Sequence, residues 1–281
     1  RFNSNIMMCD DHEFINGIDR ISSYSGKRLE ILKAARQVYG EYQLSLSFGP
    51  VGSDQFVYAE SNGFNQLIEY PGVKVLFLDN RYEKVFYGDE LHPWMNIRTF
   101  KWLENELEKL SEFESVFICM SMPILAQSRL RASAAKYFMG TEDDMATSIK
   151  NIPDTISILN LIRDTYNKKR IDFMLVGGDI HQGSSGIINF KNKTIAQQVN
   201  SSGLGKTSSS NSTLYFSLLS HLDELIHGEG YILGNYKSVI DKISRDYNFA
   251  SFELTSDFSF FDIEDNFTLI NIPDSQDMLD P

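Results

Sequence analysis

The segment DFMLVGGDIHQGSSG, residues 172–186, decides the fold class. Its apolar part, FMLV, has the length of a buried strand, and two glycines, Asp179 and His181 follow directly. The segment KVLFLDNR, residues 74–81, repeats this arrangement and ends at Arg81. Polar side chains that follow buried strands are typical of α/β enzymes, because the rigid strand ends at a crevice.

Short apolar runs predict strands, and apolar residues at helical spacing predict helices. The predicted strands are residues 5–9, 55–59, 73–78, 115–120, 172–176, 186–190 and 194–199. The predicted helices are residues 27–42, 97–110, 153–166 and 213–226. Strands that alternate with helices along the whole chain predict an α/β protein whose sheets are covered by helices.

Composition excludes several classes of protein. The 281 residues are 42% hydrophobic and carry a formal net charge of -12, so the chain can bury a sizeable core and repels nucleic acid through its bulk charge. Its longest apolar runs have strand length, which predicts no transmembrane segment. Four sequons favour passage through the secretory pathway. They are Asn192, Asn200, Asn211 and Asn266.

The pair Asp179 and His181 can point to the same side of an extended segment and bind one or two divalent ions. Asp11 and His12, in the acidic segment at residues 10–13, would complete such a site. Mixed oxygen and nitrogen ligands suit iron, manganese, zinc or calcium, whereas two cysteines exclude a sulfur-rich zinc site. Bound cations would also let this acidic protein accept an anionic ester.

Each of these segments also has a purely structural interpretation. The acidic residues 10–13 are compatible with a solvated turn or a helix cap, and the glycine pair before Asp179 with a simple turn. Arg81 is compatible with a structural ion pair. Their joint occurrence, each at the end of an apolar run, favours a site.

Four segments together resemble the PhoD-like alkaline phosphatase and phosphodiesterase family of the calcineurin-like metallophosphoesterases. DDHEFING resembles the family's DDHE block, and AARQVYGEY resembles the helix that follows it. VLFLDNRYEK resembles its LDxR strand, and GGDIHQGSSG resembles its GDxH block. The order and spacing also match, and the likeness extends from about residue 5 to about residue 252.

This resemblance implies a four-layer αββα sandwich with a dinuclear metal centre at the strand ends. Residues 1–272 would form the C-terminal portion of the domain, and residues 273–281 a polar tail. The implied activity is metal-dependent hydrolysis of phosphomonoesters or phosphodiesters, with a small molecule or a lipid headgroup as substrate.

The resemblance also implies roles for individual residues. Asp11, Asp179 and His181 take the places of metal ligands, and His12 the place that contacts phosphate and protonates the leaving group. Arg81 corresponds to the LDxR arginine, near the site and in reach of phosphate.

Two departures from the family pattern leave alternatives open. The first departure is Cys9, which stands where the family's DDHE block is preceded by a tryptophan. Asp10 and Glu13 do match this block and lie next to the ligand positions. Family members have further ligand segments upstream of DDHE, and in this protein any such segments would fall before residue 1. We therefore expect either a portion of a longer enzyme or a catalytically inactive phosphoesterase-like binding module. A single-metal hydrolase of a sulfate or carboxylate ester is a third alternative.

Overall fold

A computed structural model describes residues 8–10, 13–14, 20–88, 90–112, 114–125, 145–180, 183–201, 230–244, 247–252 and 267–272. The helices are α1 (Gly26–Tyr39), α2 (Ser45–Phe48), α3 (Asp54–Asn62), α4 (Tyr82–Tyr87), α5 (Ile97–Glu108) and α6 (Ile152–Lys169). The strands are β1 (Gln66–Tyr70), β2 (Val73–Leu78), β3 (Ser115–Met120), β4 (Asp172–Gly177), β5 (Gly183–Phe190), β6 (Lys193–Asn200), β7 (Gly230–Leu233), β8 (Tyr236–Ser244), β9 (Tyr247–Phe252) and β10 (Phe267–Ile272). A π-helical turn, Gly40–Leu44, joins α1 to α2.

The main sheet has eight strands in the order β1-β2-β3-β4-β6-β5-β8-β7. Strands β2, β3, β4 and β6 are parallel neighbours, so their carboxyl ends meet at one edge of the sheet. The remaining pairs of this sheet are antiparallel. Strands β9 and β10 form a separate antiparallel pair.

Helices α5 and α6 cover the central strands. Leu103 of α5 and Ile158 and Ile162 of α6 are buried in one hydrophobic cluster with Leu76 of β2 and Ile118 of β3. The opposite face of these strands is apolar as well, with Val73 of β2, Phe117 of β3 and Met174 of β4 buried in a separate cluster, as is typical of parallel sheets. This packing makes the strand ends a rigid base for the polar side chains that follow.

A second cluster, mainly aromatic, lies beside the end of β2. Tyr39 of α1, Phe56 of α3 and Tyr82 of α4 are buried there, and Tyr39 stacks on Tyr82 with ring centroids 5.6 Å apart. Arg36 of α1 lies against the rings of α4, 5.2 Å from the centroid of Phe86. Helix α1 is thereby attached to the residues that directly follow the strand.

The predicted strands at 73–78 and 115–120 are confirmed as β2 and β3, and those at 172–176, 186–190 and 194–199 as parts of β4, β5 and β6. The predicted helices at 27–42, 97–110 and 153–166 correspond to α1, α5 and α6.

The strand predicted at 55–59 is wrong, because these residues lie in α3. Phe56 and Ala59 are buried three positions apart, whereas Val57 and Tyr58 are exposed, which is helical periodicity. The Ser53 hydroxyl accepts a hydrogen bond from the Phe56 amide at 3.3 Å and caps the helix.

Two other predicted elements fall partly or wholly outside the described residues. Of the strand predicted at 5–9, residues 8 and 9 are described and are not in a strand. The helix predicted at 213–226 and the tail at 273–281 lie outside the described residues.

The chain is an α/β protein with a mixed eight-stranded sheet. In the part of the chain that the structure describes, no helix combines the length and the apolar composition needed to cross a membrane.

Candidate functional site

The carboxyl ends of the four parallel strands bring together residues that are far apart in the sequence. Asp79, Asn80 and Arg81 follow β2, Ser121 follows β3, and Asp179 follows β4 after a single intervening glycine. Strand order places the end of β3 between those of β2 and β4. This edge is where the sequence predicts the site.

Arg81 and Asp179 are in direct contact across this edge. The Arg81 side chain is fully buried, and its Nη2 donates a hydrogen bond to Asp179 Oδ2 at 3.0 Å. The same Nη2 lies 3.6 Å from Asp10 Oδ1. The structure thus joins the LDNR and GGDIH segments, which are 98 residues apart along the chain, and brings the acidic segment to the same guanidinium.

The chain leaves β4 through a close approach to the end of β3. A Cβ on Gly177 would lie 2.8 Å from the Pro123 Cα, so only glycine fits at this position. The Gly178 amide then donates a hydrogen bond to the Ser121 carbonyl at 2.9 Å. Asp179 has a φ of 64°, in the left-handed region that Asp adopts more readily than most residues with a Cβ. This conformation turns the chain sharply after β4.

Asn80 connects the end of β2 to the end of β3. Its buried Oδ1 accepts hydrogen bonds from the Ser121 amide at 3.2 Å and from the Ser121 hydroxyl at 2.8 Å. Because these two donors fix the orientation of the amide, Asn80 sets the spacing of the two strand ends.

Asp79 organises the first turn after β2. Its Oδ1 accepts hydrogen bonds from the amides of Arg81 at 3.2 Å and Glu83 at 3.3 Å, at the start of α4. The Asp79 amide donates to Asn65 Oδ1 at 3.0 Å. Burial raises the pKa of Asp79 to about 6, although the backbone hydrogen bonds of Glu83 and Arg81 act in the opposite direction. Asp79 therefore fixes the backbone from which the Arg81 side chain projects.

An ion pair between a buried carboxylate and a partly exposed arginine joins the two helices that follow β2, and it was not predicted from the sequence. Glu83 is fully buried in α4, and it forms a salt bridge with Arg98 of α5. Burial and the like charge of Asp79 raise the pKa of Glu83 to about 7, and Arg98 partly offsets them. Two charged residues, Glu83 and Lys84, interrupt the apolar stretch after LDNR, and both are buried. Charge within an apolar stretch is the signal in the sequence that could have indicated this burial.

The acidic segment is described only in part. The Asp10 amide donates a hydrogen bond to Glu13 Oε2 at 2.7 Å, so Glu13 closes a local turn. Asp11, His12 and His181 lie outside the described residues. Of the predicted site residues, the structure therefore brings together Arg81 and Asp179, with Asp10 beside them.

These residues fit a cation site in part. Two carboxylates, those of Asp10 and Asp179, face one guanidinium, so the group has a net negative charge. Asp10 Oδ1 is enclosed and has no hydrogen-bond partner among the described residues. Carboxylate oxygens are ligands that hard and intermediate cations accept. Among the described residues there is no group of three or more His, Cys, Asp or Glu side chains that could hold a metal.

Comparison of the sequence with models of known protein families and with curated proteins gives no match. The chemistry of this sheet edge therefore rests on its own residues.

Proposed function

We propose that the protein is a metal-dependent phosphoric ester hydrolase of the PhoD-like type. Its substrate would be a phosphomonoester or phosphodiester, either of a small molecule or of a lipid headgroup. The observation that supports this function is the hydrogen bond between Arg81 and Asp179, which unites two of the four segments on which the resemblance rests. The proposal includes the four-layer αββα arrangement of that family.

Asp11, Asp179 and His181 would hold a dinuclear centre of iron, calcium, manganese or zinc. Such a centre lowers the pKa of a bound water and neutralises the charge that develops on the phosphoryl oxygens. His12 would contact the phosphate and donate a proton to the departing alkoxide oxygen. The buried β2 and β4 ends would keep these groups at fixed positions.

A pair of Asp→Asn variants tests the metal site in the complete protein. We expect Asp179→Asn to lower the bound Mn²⁺ and the hydrolysis of bis(4-nitrophenyl) phosphate at least about 10-fold, because it removes a ligand charge. Asp164→Asn is the matched control, since its side chain is 58% exposed on α6 and pairs with Arg163. Equal activity of both variants would contradict the assignment. Phosphate binding without turnover in the wild type would instead support an inactive binding module.

The leaving group tests the role of His12. Nitrophenolate departs without a proton, whereas an alkyl alkoxide requires one. His12→Ala should therefore slow the hydrolysis of an alkyl phosphate ester by about 100-fold or more and that of a nitrophenyl ester much less. An equal loss on both esters would remove the proton-donor role from His12.

A further inference from the structure

We infer that Arg81 is a positioning residue: it fixes the carboxylates of Asp179 and Asp10 and does not contact the substrate phosphate. This inference rests on the proposed function and changes the role that the family resemblance implies for Arg81. The Arg81 guanidinium would then hold the carboxylates of the site in place and not bind the substrate.

Arg81 is more deeply buried than the two carboxylates beside it. Its side chain has no exposed surface, whereas the carboxylates beside it keep some, 16% for Asp179 and 33% for Asp10. An arginine that binds phosphate presents its planar fork to the ligand. The side chains with exposed surface here are the two carboxylates, so they, and not Arg81, are accessible to a ligand.

Asp179 combines an unusual backbone conformation with a contact from Arg81. Asp179 lies in the left-handed region, which Asp tolerates better than most residues with a Cβ, at the turn that leaves β4. The hydrogen bond from Arg81 Nη2 to Asp179 Oδ2 is a charge-assisted contact from a distant part of the chain. It fixes the direction of the carboxylate while part of that side chain stays exposed.

Arg81 is itself anchored through its backbone. Its amide donates to Asp79 Oδ1, and its carbonyl accepts the Val85 amide at 2.9 Å in the first turn of α4. The charge of Arg81 also stands beside two carboxylates and reduces their mutual repulsion. A guanidinium held at its backbone and at its tip is suited to orienting the ligand carboxylate of Asp179 and its neighbour Asp10.

Arg81→Lys in the complete protein separates the two roles. Lysine keeps the charge but loses the planar fork that orients a carboxylate. We expect the apparent Mn²⁺ dissociation constant to rise about 10- to 100-fold, while the affinity for inorganic phosphate at saturating Mn²⁺ stays within about twofold of wild type. Arg98→Lys is the matched control, because it changes the neighbouring ion pair with Glu83 and should leave Mn²⁺ affinity unchanged. Unchanged Mn²⁺ affinity with lost phosphate affinity would overturn the inference.

Chemical labelling of the wild type gives a second test that needs no variant. Phenylglyoxal modifies accessible guanidinium groups, and peptide mass spectrometry reports each arginine separately. We expect Arg81 to stay unmodified in the native protein, with or without phosphate, while the exposed Arg28 reacts. Modification of Arg81 that phosphate prevents would overturn the inference. If the wild type binds no Mn²⁺, the proposed function fails, and the labelling still decides whether phosphate can reach Arg81.

Discussion

The buried carboxyl of Glu83 makes the stability of this protein depend on pH. Burial and the charge of Asp79 raise the pKa of Glu83 from its ordinary value of 4.5 to about 7. Since the folded protein holds this proton more tightly than the unfolded chain does, the stabilisation is complete below pH 4.5. It is lost as the pH rises through about 7. At about 1.4 kcal/mol for each unit of pKa, the loss is roughly 3 kcal/mol of unfolding free energy.

Glu83→Gln tests this reasoning, because the amide resembles the protonated carboxyl and cannot ionise. Urea unfolding at steps between pH 4.5 and 7 should show a fall in unfolding free energy that is roughly 3 kcal/mol larger in wild type than in the variant. Part of the wild-type fall remains in the variant, because the pKa of Asp79 is raised from 3.8 to about 6. The difference in slope is the quantity to compare, because the substitution also changes the contact with Arg98, which offsets the whole curve.

Glu104→Gln is the matched control, since Glu104 is exposed on the same helix as Arg98. Its stability curve should run parallel to that of wild type. The reasoning is refuted if the Glu83→Gln curve is also parallel to wild type from pH 4.5 to 7, because Glu83 would then titrate alike in the folded and unfolded chains.

Packing and exposure lead to three further predictions, two on stability and one on glycosylation. Ile118→Ala should destabilise the protein by about 2–5 kcal/mol in urea unfolding, because this side chain is fully buried inside the sheet. Leu46→Ala is the control and should cost less than about 0.5 kcal/mol, because Leu46 is 76% exposed. Arg36→Ala should lower the unfolding free energy by about 1 kcal/mol, because its guanidinium faces three aromatic rings of α4. In a secretory host, mass spectrometry of the folded protein should find a glycan on Asn192, exposed in the β5–β6 turn, and none on the fully buried Asn200.

Local pattern was sufficient for several elements. The apolar runs of β2 and β3 predict these strands to the residue, because burial on both faces makes each run continuous. The stripe of α6 predicts its helix, because burial of one face imposes a helical period on the sequence. The run QFVYA of α3 misleads, because a short apolar run is compatible with both a strand and a helix. Tertiary contacts decide between them there.

The sequence by itself determined the α/β class and marked Asp179 and Arg81 as polar residues at the ends of buried strands. Both can be predicted from the sequence because an apolar strand and the polar residues that follow it are adjacent in the chain. The hydrogen bond between these residues, the full burial of Arg81 and the burial of Glu83 beside Arg98 were decided only by the tertiary structure. Strand order sets which ends are neighbours, and burial depends on packing from elements distant in sequence, so neither is encoded in any single segment.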